Sequence, residues 1–306
     1  MNKDSLQPKV AVVLSNYNSY ELLSKALSSI LRIDYANMII IVVENGSTDD
    51  SLHNLKRNHS DIIIIESKKN LIYTEAYNWG FRKAIEEGAE YITLAHADSH
   101  SYSTNYFTEI VSEFQQDTKI FLVGTTVFNS VGDIEFSGGD DKKFGIYMNI
   151  PTMGYCFSRT AFEKVGFLDE KLGAYFEDLD YVYRIREIGY RTKFIESVSY
   201  VHIGSGNVRS ANFHYHYLRI RNIFWFIKKL NKGSSPLSLR IKLKMIFGLG
   251  YKTHSKNLIS AVKNGMFQNV PIIIYAMLKG TFFGFFVPYP NEKKINNYFG
   301  KDKRSW

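Results

Sequence analysis

Five short runs of apolar residues, separated by amphipathic stretches, constrain the fold of this chain most strongly. The runs are KVAVVLS (9–15), MIIIVV (38–43), DIIIIE (61–66), YITLA (91–95) and IFLVGTTV (120–127). They are rich in aliphatic and β-branched residues, which is typical of strands buried on both faces of a parallel sheet. Their alternation with helical patterns predicts an α/β domain, whose ligands bind at the carboxyl ends of the strands.

Helical periodicity fills the gaps between these runs. Apolar residues recur every three or four positions at 19–32, 48–57, 74–88 and 105–116, which predicts four helices. After the fifth run the pattern changes. Residues 128–160 are rich in glycine, aspartate and aromatic residues, which indicates hairpins and loops over a site.

Polar segments follow three of the apolar runs: SNYN (15–18), ENGSTDD (44–50) and HADSH (96–100). Each alone is typical of a turn or a helix cap. Together, at the carboxyl edge of one sheet, they predict a ligand site. Asp98 suits a divalent cation that bridges a diphosphate, or alternatively caps the next helix; His96 is a further ligand or a hydrogen-bond donor.

A second acidic segment, FEDLDYVYRIREIGY (176–190), predicts a helix that begins with Glu177, Asp178 and Asp180. A helix N-terminus favours negative charge, so capping is one explanation of this cluster. Repulsion and partial burial would instead raise one pKa and create a general base near neutral pH. His202 follows an alternating strand and is either structural or a further ligand.

The net charge of +8 is unevenly distributed. Residues 1–206 have 20 Lys/Arg and 28 Asp/Glu, whereas residues 207–306 have 18 Lys/Arg and only 2 Asp/Glu. This change predicts a boundary near residue 207, followed by a basic, aromatic-rich helical extension. Helices are predicted there at three places, 215–230, 237–250 and 270–290.

The composition of this extension favours a membrane partner. Aromatic and aliphatic residues interspersed with Lys and Arg suit an anionic membrane surface better than a nucleic-acid groove, and no nucleic-acid motif is present. Lys279 and the flanking prolines favour an in-plane or re-entrant segment over a membrane span. Packing on the core or a homodimer contact is the alternative.

Cysteine content and the start of the chain predict a cytoplasmic protein. Cys156 is the single cysteine, which excludes an internal disulfide framework and a multi-thiolate metal site. The opening MNKDSLQPKVAVVL reads as a first strand rather than as the core of a signal peptide.

Several segments together resemble family 2 glycosyltransferases, the inverting sugar-nucleotide enzymes of GT-A fold, and within them the bacterial rhamnosyltransferase-like branch. The resemblance covers nearly the whole chain. Its segments are VVLSNYNSYELLSKALSSI, IIIVVENGSTDDS, NLIYTEAYNWGFRKA, GYCFSRTAFEKVGFLDEKLGAYFEDLDYVYRIREIGY and YHYLRIRNIFWFIKK. It implies a catalytic domain over 1–206, with a nucleotide-sugar half at about 1–127 and an acceptor half at about 128–206.

The resemblance also implies roles for individual residues. The donor nucleotide-sugar would contact Asn16, Tyr17, Glu44, Asn45, Asn70, Asn78 and Ala97. Glu44 stands where an aspartate is usual, which displaces its contacts by one methylene.

The metal motif of this family, D-x-D, corresponds to His-Ala-Asp in this chain. Asp98 would be its last acid, and His202 matches a position that contacts metal or diphosphate. His96 replaces the first acid and is a further candidate ligand. The implied cofactor is a divalent cation, Mg²⁺ or Mn²⁺.

On the acceptor side, Asp178 would be the base that deprotonates the acceptor hydroxyl. Glu177 and Asp180 would support it, and Arg184 would pair with a nearby acid. The implied activity is inverting transfer of a hexosyl or deoxyhexosyl group from a nucleoside-diphosphate sugar to a saccharide or lipid-linked acceptor in bacterial cell-surface polysaccharide synthesis. Such an enzyme would lie peripherally on the inner face of the cytoplasmic membrane. The alternative is a membrane-surface or nucleic-acid binding module on a degenerate glycosyltransferase fold.

Overall fold

The computed structural model describes residues 7–136, 154–204, 212–231 and 238–290. They form two compact units. The first contains the described residues up to Leu168 together with 181–204. The second contains 169–180 and the described residues after 204. The predicted boundary near 207 stays a prediction, because residues 205–211 lie outside the described ones.

All nine described strands belong to one sheet in the first unit. They are β1 (Val10–Asn16), β2 (Met38–Glu44), β3 (Ile63–Glu66), β4 (Tyr91–Leu94), β5 (Ser99–His100), β6 (Ile120–Asn129), β7 (Ile134–Phe136), β8 (Cys156–Ser158) and β9 (Arg191–His202). Their order is β3-β2-β1-β4-β8-β6-β9-β5, and β7 pairs with β6. The five predicted apolar runs are all strands, so the predicted sheet is confirmed.

The sheet is parallel in its first half and mixed in its second. Strands β1 to β4 pair only in parallel with one another, and Val10 is opposite Met38 in the register of β1 and β2. Strand β8 pairs antiparallel with both β4 and β6, and β6 then pairs in parallel with β9. The antiparallel insertion of β8 joins the two halves.

Helices cover both faces of this sheet. They are α1 (Tyr20–Ile30), α2 (Ser51–Asn58), α3 (Tyr73–Glu86), α4 (Tyr106–Gln116), α5 (Arg159–Val165) and α6 (Glu177–Glu187). One core contains apolar residues of α1, α2 and α4, and the other contains those of α3, α5 and α6. Alternate residues of β1 enter the two cores, Val12 on one face and Val13 on the other. The strand is therefore buried on both faces, as its continuous apolar run predicts.

The second unit is helical. Its helices after α6 are α7 (Phe213–Leu230), α8 (Leu239–Met245), α9 (Lys252–Lys263) and α10 (Asn269–Phe286), with a π-helical segment, Ile246–Tyr251, between α8 and α9. Helix α10 packs closely on α7: a Cβ on Gly280 would lie 2.8 Å from Tyr217 O, and one on Gly284 would lie 2.9 Å from Arg221 O. Main chain meets main chain here because both positions lack a side chain.

Candidate active site

The ends of β1 and β2 carry a buried amide–carboxylate pair. Asn16 and Glu44 are register partners, and the Asn16 Nδ2 donates to Glu44 Oε2 at 2.7 Å. The other Glu44 oxygen accepts from the backbone N–H of Ser47 at 3.0 Å. A carboxylate buried at a strand end and held by two donors is a fixed acceptor group at the carboxyl edge of the sheet.

Asn45 continues this group one residue further along the chain. Its Oδ1 accepts from Leu71 N at 2.6 Å, and its Nδ2 donates to Asn70 Oδ1 at 3.2 Å. The backbone N–H of Asn45 also donates to Asn16 O at 2.8 Å. One hydrogen-bonded group thus links four of the residues predicted to contact the nucleotide-sugar: Asn16, Glu44, Asn45 and Asn70. Tyr17 follows β1 directly and is half-buried.

Asn78 is placed differently from these residues. Its Nδ2 donates to Leu168 O at 2.9 Å, and its Oδ1 accepts from Leu168 N at 3.1 Å. This two-way bond ties α3 to the segment after α5. It is a structural contact, and the predicted donor contact of Asn78 stays a prediction.

The HADSH segment forms a cluster with the end of β9. Antiparallel pairing sets Ser99 of β5 opposite His202, and the backbone N–H of Ile203 donates to Asp98 O at 2.9 Å. Asp98 Oδ2 lies 3.2 Å from His202 Nε2. One ligand atom from each of His96, Asp98 and His202 lies within 4.8 Å of the others.

The sequence allowed two interpretations of Asp98: a metal ligand or the cap of the next helix. The N-cap position of helix α4 is Asn105, seven residues after Asp98, so Asp98 does not cap this helix. Ala97, between the two candidate ligands, is half-buried against the core. His100 bonds to Ser101 Oγ and is not one of the three clustered residues.

Burial and mutual charge set the protonation of this cluster. Burial lowers the pKa of His96 to about 4, with the neighbouring Asp98 opposing the shift, so His96 is neutral near pH 7. Burial alone would raise the pKa of Asp98, but the hydrogen bond from His202 and electrostatic interactions with the two histidines hold it below its usual value. Burial opposes protonation of His202, yet hydrogen bonds to Asp98 and Glu135 raise its pKa.

The start of α6, in the second unit, buries two carboxyl groups side by side. Glu177 and Asp178 are 9% and 7% exposed. Burial raises the pKa of Asp178 to about 6, although the backbone N–H of Leu179, 2.7 Å from its Oδ1, opposes the shift. Burial and the charge of Asp178 raise the pKa of Glu177 well above its usual value. Asp178 can therefore exchange a proton near neutral pH.

The third acid of the cluster has a different environment. Asp180 is fully buried, and its Oδ1 lies 2.6 Å from Lys229 Nζ at the end of α7. The same ammonium lies 2.5 Å from Asp169, which also accepts a hydrogen bond from Tyr289. Asp180 is thus paired with a cation, and its remaining effect on Asp178 is to raise the pKa of that carboxyl group, after the larger effect of burial.

Arg184 lies further along α6, in the first unit. Its Nη1 donates to Val165 O at 2.8 Å and its Nη2 to Phe167 O at 2.9 Å. These bonds anchor α6 to the end of α5. The predicted acid partner of Arg184 stays a prediction.

Comparison with known proteins identifies the family. Residues 11–166, just over half of the chain, match the family model described as Glycosyl transferase family 2. The chain belongs to this family. The matched range includes β1 to β8 and the His96–Asp98 segment, but not α6 or His202.

Curated proteins with similar sequences are glycosyltransferases. The dTDP-rhamnosyl transferase RfbF of Shigella flexneri is 24% identical over 284 residues, which are 85% of this chain and 91% of the relative. The poly-beta-1,6-N-acetyl-D-glucosamine synthase of Staphylococcus aureus (strain COL) is 24% identical over 212 residues, 63% of this chain. The match spans about half (49%) of the length of that synthase.

Solved structures show the same GT-A fold. A mannosyltransferase of Pyrobaculum calidifontis, in complex with GDP-Man and Mn²⁺, matches with a TM-score of 0.58 and 18% identity over 89% of this chain and 74% of its own. S. aureus TarS 1–349, in complex with UDP-GlcNAc, has the same TM-score and 13% identity over 89% of this chain and 88% of its own. The predicted fold class is therefore confirmed.

The clustered side chains of this family 2 glycosyltransferase fit a divalent cation. Two imidazoles and a carboxylate, contributed from three points in the chain, form a set of the type that holds a metal and leaves further positions open. His202 also donates through its second nitrogen, Nδ1, to Glu135 Oε2 at 2.9 Å, as metal-binding histidines commonly do.

Sequence reasoning missed three polar residues of this glycosyltransferase. Glu135 lies in a stretch without helical or strand periodicity. The one signal that could have found it is its position next to the end of a strand. Tyr73, whose OH lies 3.2 Å from His96 Nε2, lies one residue before the helix predicted over 74–88 and was not singled out. Lys229 read as one of many lysines in a basic extension, although it sits at helical spacing from Trp225 and contacts two acids.

Proposed function

We propose that this glycosyltransferase moves a sugar from a nucleoside-diphosphate sugar to an acceptor hydroxyl, with inversion at the anomeric carbon. The observation that carries the proposal is the His96–Asp98–His202 cluster after β4, in a sheet whose neighbouring strands end in the Asn16–Glu44 pair. A cation site beside fixed acceptors suits a diphosphate attached to a nucleoside. A degenerate binding module would not need to keep both groups.

Residues of the first unit would bind the nucleoside-diphosphate sugar. Glu44, held by Asn16 and Ser47, offers acceptor oxygens to N–H or O–H groups of the nucleoside. Asn45 and Asn70 keep the adjoining loop in place. The similar proteins are associated with different nucleotides: one is named a dTDP-rhamnosyl transferase, and the two solved structures are complexes with GDP-Man and UDP-GlcNAc. A screen of dTDP-, GDP- and UDP-sugars therefore identifies the nucleobase that this enzyme accepts.

The transfer step needs one base. The acceptor oxygen forms a bond to the anomeric carbon as the bond from that carbon to the diphosphate oxygen breaks, and the diphosphate leaves with the electron pair. The hydroxyl proton passes to the Asp178 carboxylate, whose pKa of about 6 leaves it mostly ionised at pH 7. Because attack is direct, no covalent sugar–enzyme intermediate is required.

The cation would be held by His96, Asp98 and His202, and it would supply positive charge to the leaving diphosphate. We favour Mn²⁺ over Mg²⁺, because imidazole nitrogen is a better ligand for the former. The mannosyltransferase of similar fold was solved with Mn²⁺, which supports the choice.

Asp98→Ala tests the donor site. We expect Mn²⁺ affinity, measured by calorimetry with and without donor, to fall at least about 10-fold, because one of three protein ligands is lost. Release of nucleoside diphosphate should fall with it. Asp61→Ala, at an exposed acid, is the matched control. Unchanged Mn²⁺ binding in Asp98→Ala would refute the metal assignment, and no turnover of any donor by the parent protein would refute the activity.

The acceptor is proposed to be a lipid-linked saccharide at the cytoplasmic face of the membrane. Helix α10 is long and apolar enough to cross a membrane, but 28% of it is buried within the protein, on the side of Gly280 and Gly284. Its opposite side exposes a stripe of large apolar residues at helical spacing: Tyr275, Leu278, Phe282, Phe285 and Phe286. Seven lysines and arginines and no acids lie between 238 and 290. An apolar stripe on a helix within a segment rich in Lys and Arg supports docking in the plane of an anionic lipid surface.

Flotation with vesicles tests this membrane docking. The parent protein should float with vesicles that contain anionic lipid, and the double variant Leu278→Gln/Phe282→Gln should float much less, because both lost side chains are more than half exposed. Leu31→Gln/Val131→Gln removes exposed apolar residues of the first unit and is the control. Equal flotation of all three proteins, or a stable dimer that does not float, would overturn the membrane assignment.

A further inference from the structure

Two consecutive residues directly before Glu177 and Asp178 have left-handed backbone. Tyr175 has φ 65° and Phe176 has φ 71°. Both carry bulky side chains, for which this conformation is unfavourable. In the parts of the chain that the structure describes, the other non-glycine residues with positive φ are Asn18 and Ser101. Strain at one turn persists only where its surroundings hold it, and it often marks a functional site.

Asn222 of α7 is the side chain that holds this turn. It is fully buried, and its Nδ2 lies 2.9 Å from Leu172 O, 2.8 Å from Ala174 O and 2.8 Å from Tyr175 O. Carbonyl oxygens only accept hydrogen bonds, so the amide nitrogen must face them. The two N–H bonds of one amide are thus shared among three of the four carbonyls between 172 and 175.

Arg221 fixes the orientation of that amide. Its Nε lies 2.9 Å and its Nη2 2.7 Å from Asn222 Oδ1, and its Nη2 also donates to Leu172 O at 2.8 Å. A guanidinium only donates, so the amide oxygen must face it and the amide nitrogen must face the turn. The Arg221 side chain is itself buried against the Trp225 ring, 4.2 Å from its centroid. The direction of the Asn222 amide is therefore determined from both sides.

We propose that Asn222 is a positioning residue for sugar transfer: by binding the carbonyls of the Tyr175–Phe176 turn, it holds the start of α6 and thereby the Asp178 carboxylate in the reactive arrangement. The inference rests on the proposed role of Asp178 as the base. Without these bonds, Tyr175 is free to return to negative φ. That change redirects the first turn of α6 and lets water reach the carboxylate.

Asn222→Asp is the sharpest test. The aspartate has nearly the same shape and pairs with Arg221, but it cannot donate to the three carbonyls. We expect the single-turnover rate of transfer to fall at least about 10-fold, as displaced catalytic groups commonly cause. Donor affinity should stay within about 2-fold of the parent. The acid limb of the rate profile should move to lower pH, because a hydrated Asp178 is more acidic.

Asn212→Ala is the matched control. Asn212 caps the same helix by accepting from Tyr215 N, and it is not one of the residues that bind the 172–175 carbonyls through the hydrogen bonds described above. Its replacement weakens α7 without changing the position of Asp178, so the rate profile should keep its parental pH dependence. If Asn222→Asp does not bind donor, Asn222→Ala is measured in the same assays.

The possible results separate this inference from the proposed function. Parental rate and pH profile in an Asn222 variant, or a loss equal to that of Asn212→Ala with an unshifted profile, would overturn the positioning role alone. A fully active Asp178→Asn variant would overturn the base and the positioning role together. An inactive Asp178→Asn beside a slowed, donor-binding Asn222→Asp with a shifted profile supports both.

Discussion

The Asp178 carboxyl group links activity to stability. Its pKa is raised from 3.8 to about 6 by burial, so the folded chain binds a proton more tightly than the unfolded chain. Between about pH 4 and pH 6 the unfolded chain loses this proton first, and stability therefore falls as pH rises through this range. Above pH 6 the folded protein carries a buried negative charge. The ionised form that the proposed base needs for catalysis is thus a source of instability.

Asp178→Asn should abolish transfer and make the protein more stable at pH 7.5. The gain is up to about 3 kcal/mol, because two pKa units correspond to roughly that free energy and the amide carries no charge. It should shrink as the pH is lowered from 6 towards 4. Thermal unfolding across pH, with Glu187→Gln at an exposed acid of α6 as control, measures the effect. A destabilised Asp178→Asn at pH 7.5 would contradict it.

The parental rate should depend on the same proton. We expect the single-turnover rate to fall below about pH 6, since protonated Asp178 cannot accept the acceptor proton. The rate should be level from pH 7 to pH 8. A rate that is constant from pH 5 to pH 8 would exclude Asp178 as the base.

Among the secondary-structure elements, those with a local sequence pattern could be predicted. Strands β1, β2 and β4 were predictable because continuous apolar runs signal burial on both faces, and their strand-end polar groups followed from parallel pairing. Strand β8, three residues long, has no period to detect, and its place between β4 and β6 depends on pairing over long sequence separations. The π-helical segment within predicted helix 237–250 likewise has no recognisable pattern in the sequence. The predicted loops over 128–160 are tested only in part, because 137–153 lie outside the described residues.

The candidate site residues also divide into those that the sequence pattern reveals and those that it does not. Asp98 and Asp178 stand at the ends of recognisable elements, where a carboxylate is conspicuous. Glu135 and Asn222 act through partners far away in the chain: Glu135 bonds His202, and Asn222 bonds the segment 172–175. A single sequence contains no signal for such pairs, because the contact arises only when the elements pack.

Lys229 joins two elements of the second unit through buried charge. Lys229→Met leaves Asp180 fully buried without its cation, and we expect the free energy of unfolding to fall by about 3 kcal/mol. Adding Asp180→Asn should recover part of the loss, since the uncompensated charge is removed. Denaturant unfolding measures both, with Lys256→Met at an exposed lysine as control. A change below about 0.5 kcal/mol in Lys229→Met would show that the ion pair is dispensable.

At the scale of the whole molecule, charge is divided along the chain. Residues 1–206 carry a net −8 and residues 207–306 a net +16. An anionic surface attracts the second part and repels the first, which favours contact through the extension.

Salt should therefore weaken vesicle binding more than the apolar stripe alone would allow. We expect the fraction that floats with anionic vesicles to fall steeply between 50 mM and 500 mM NaCl, because screening shortens the range of charge attraction. Vesicles of neutral lipid should bind less protein, with little dependence on salt. Salt-independent binding to anionic vesicles would show that charge plays no part.

Helix α10 also constrains which length changes this chain tolerates. Gly280 and Gly284 face α7, whereas Leu278 and Phe282 face outward, and both sets follow the 3.6-residue period of one continuous helix. Inserting or deleting one residue between Ala276 and Gly280 rotates everything beyond it by about 100°. Such a change would turn aromatic rings towards the main chain of α7 and glycines towards the outside. Both faces depend on the same helical period, so a substitution on the outward face of α10 changes one contact, whereas a single-residue insertion displaces both faces at once.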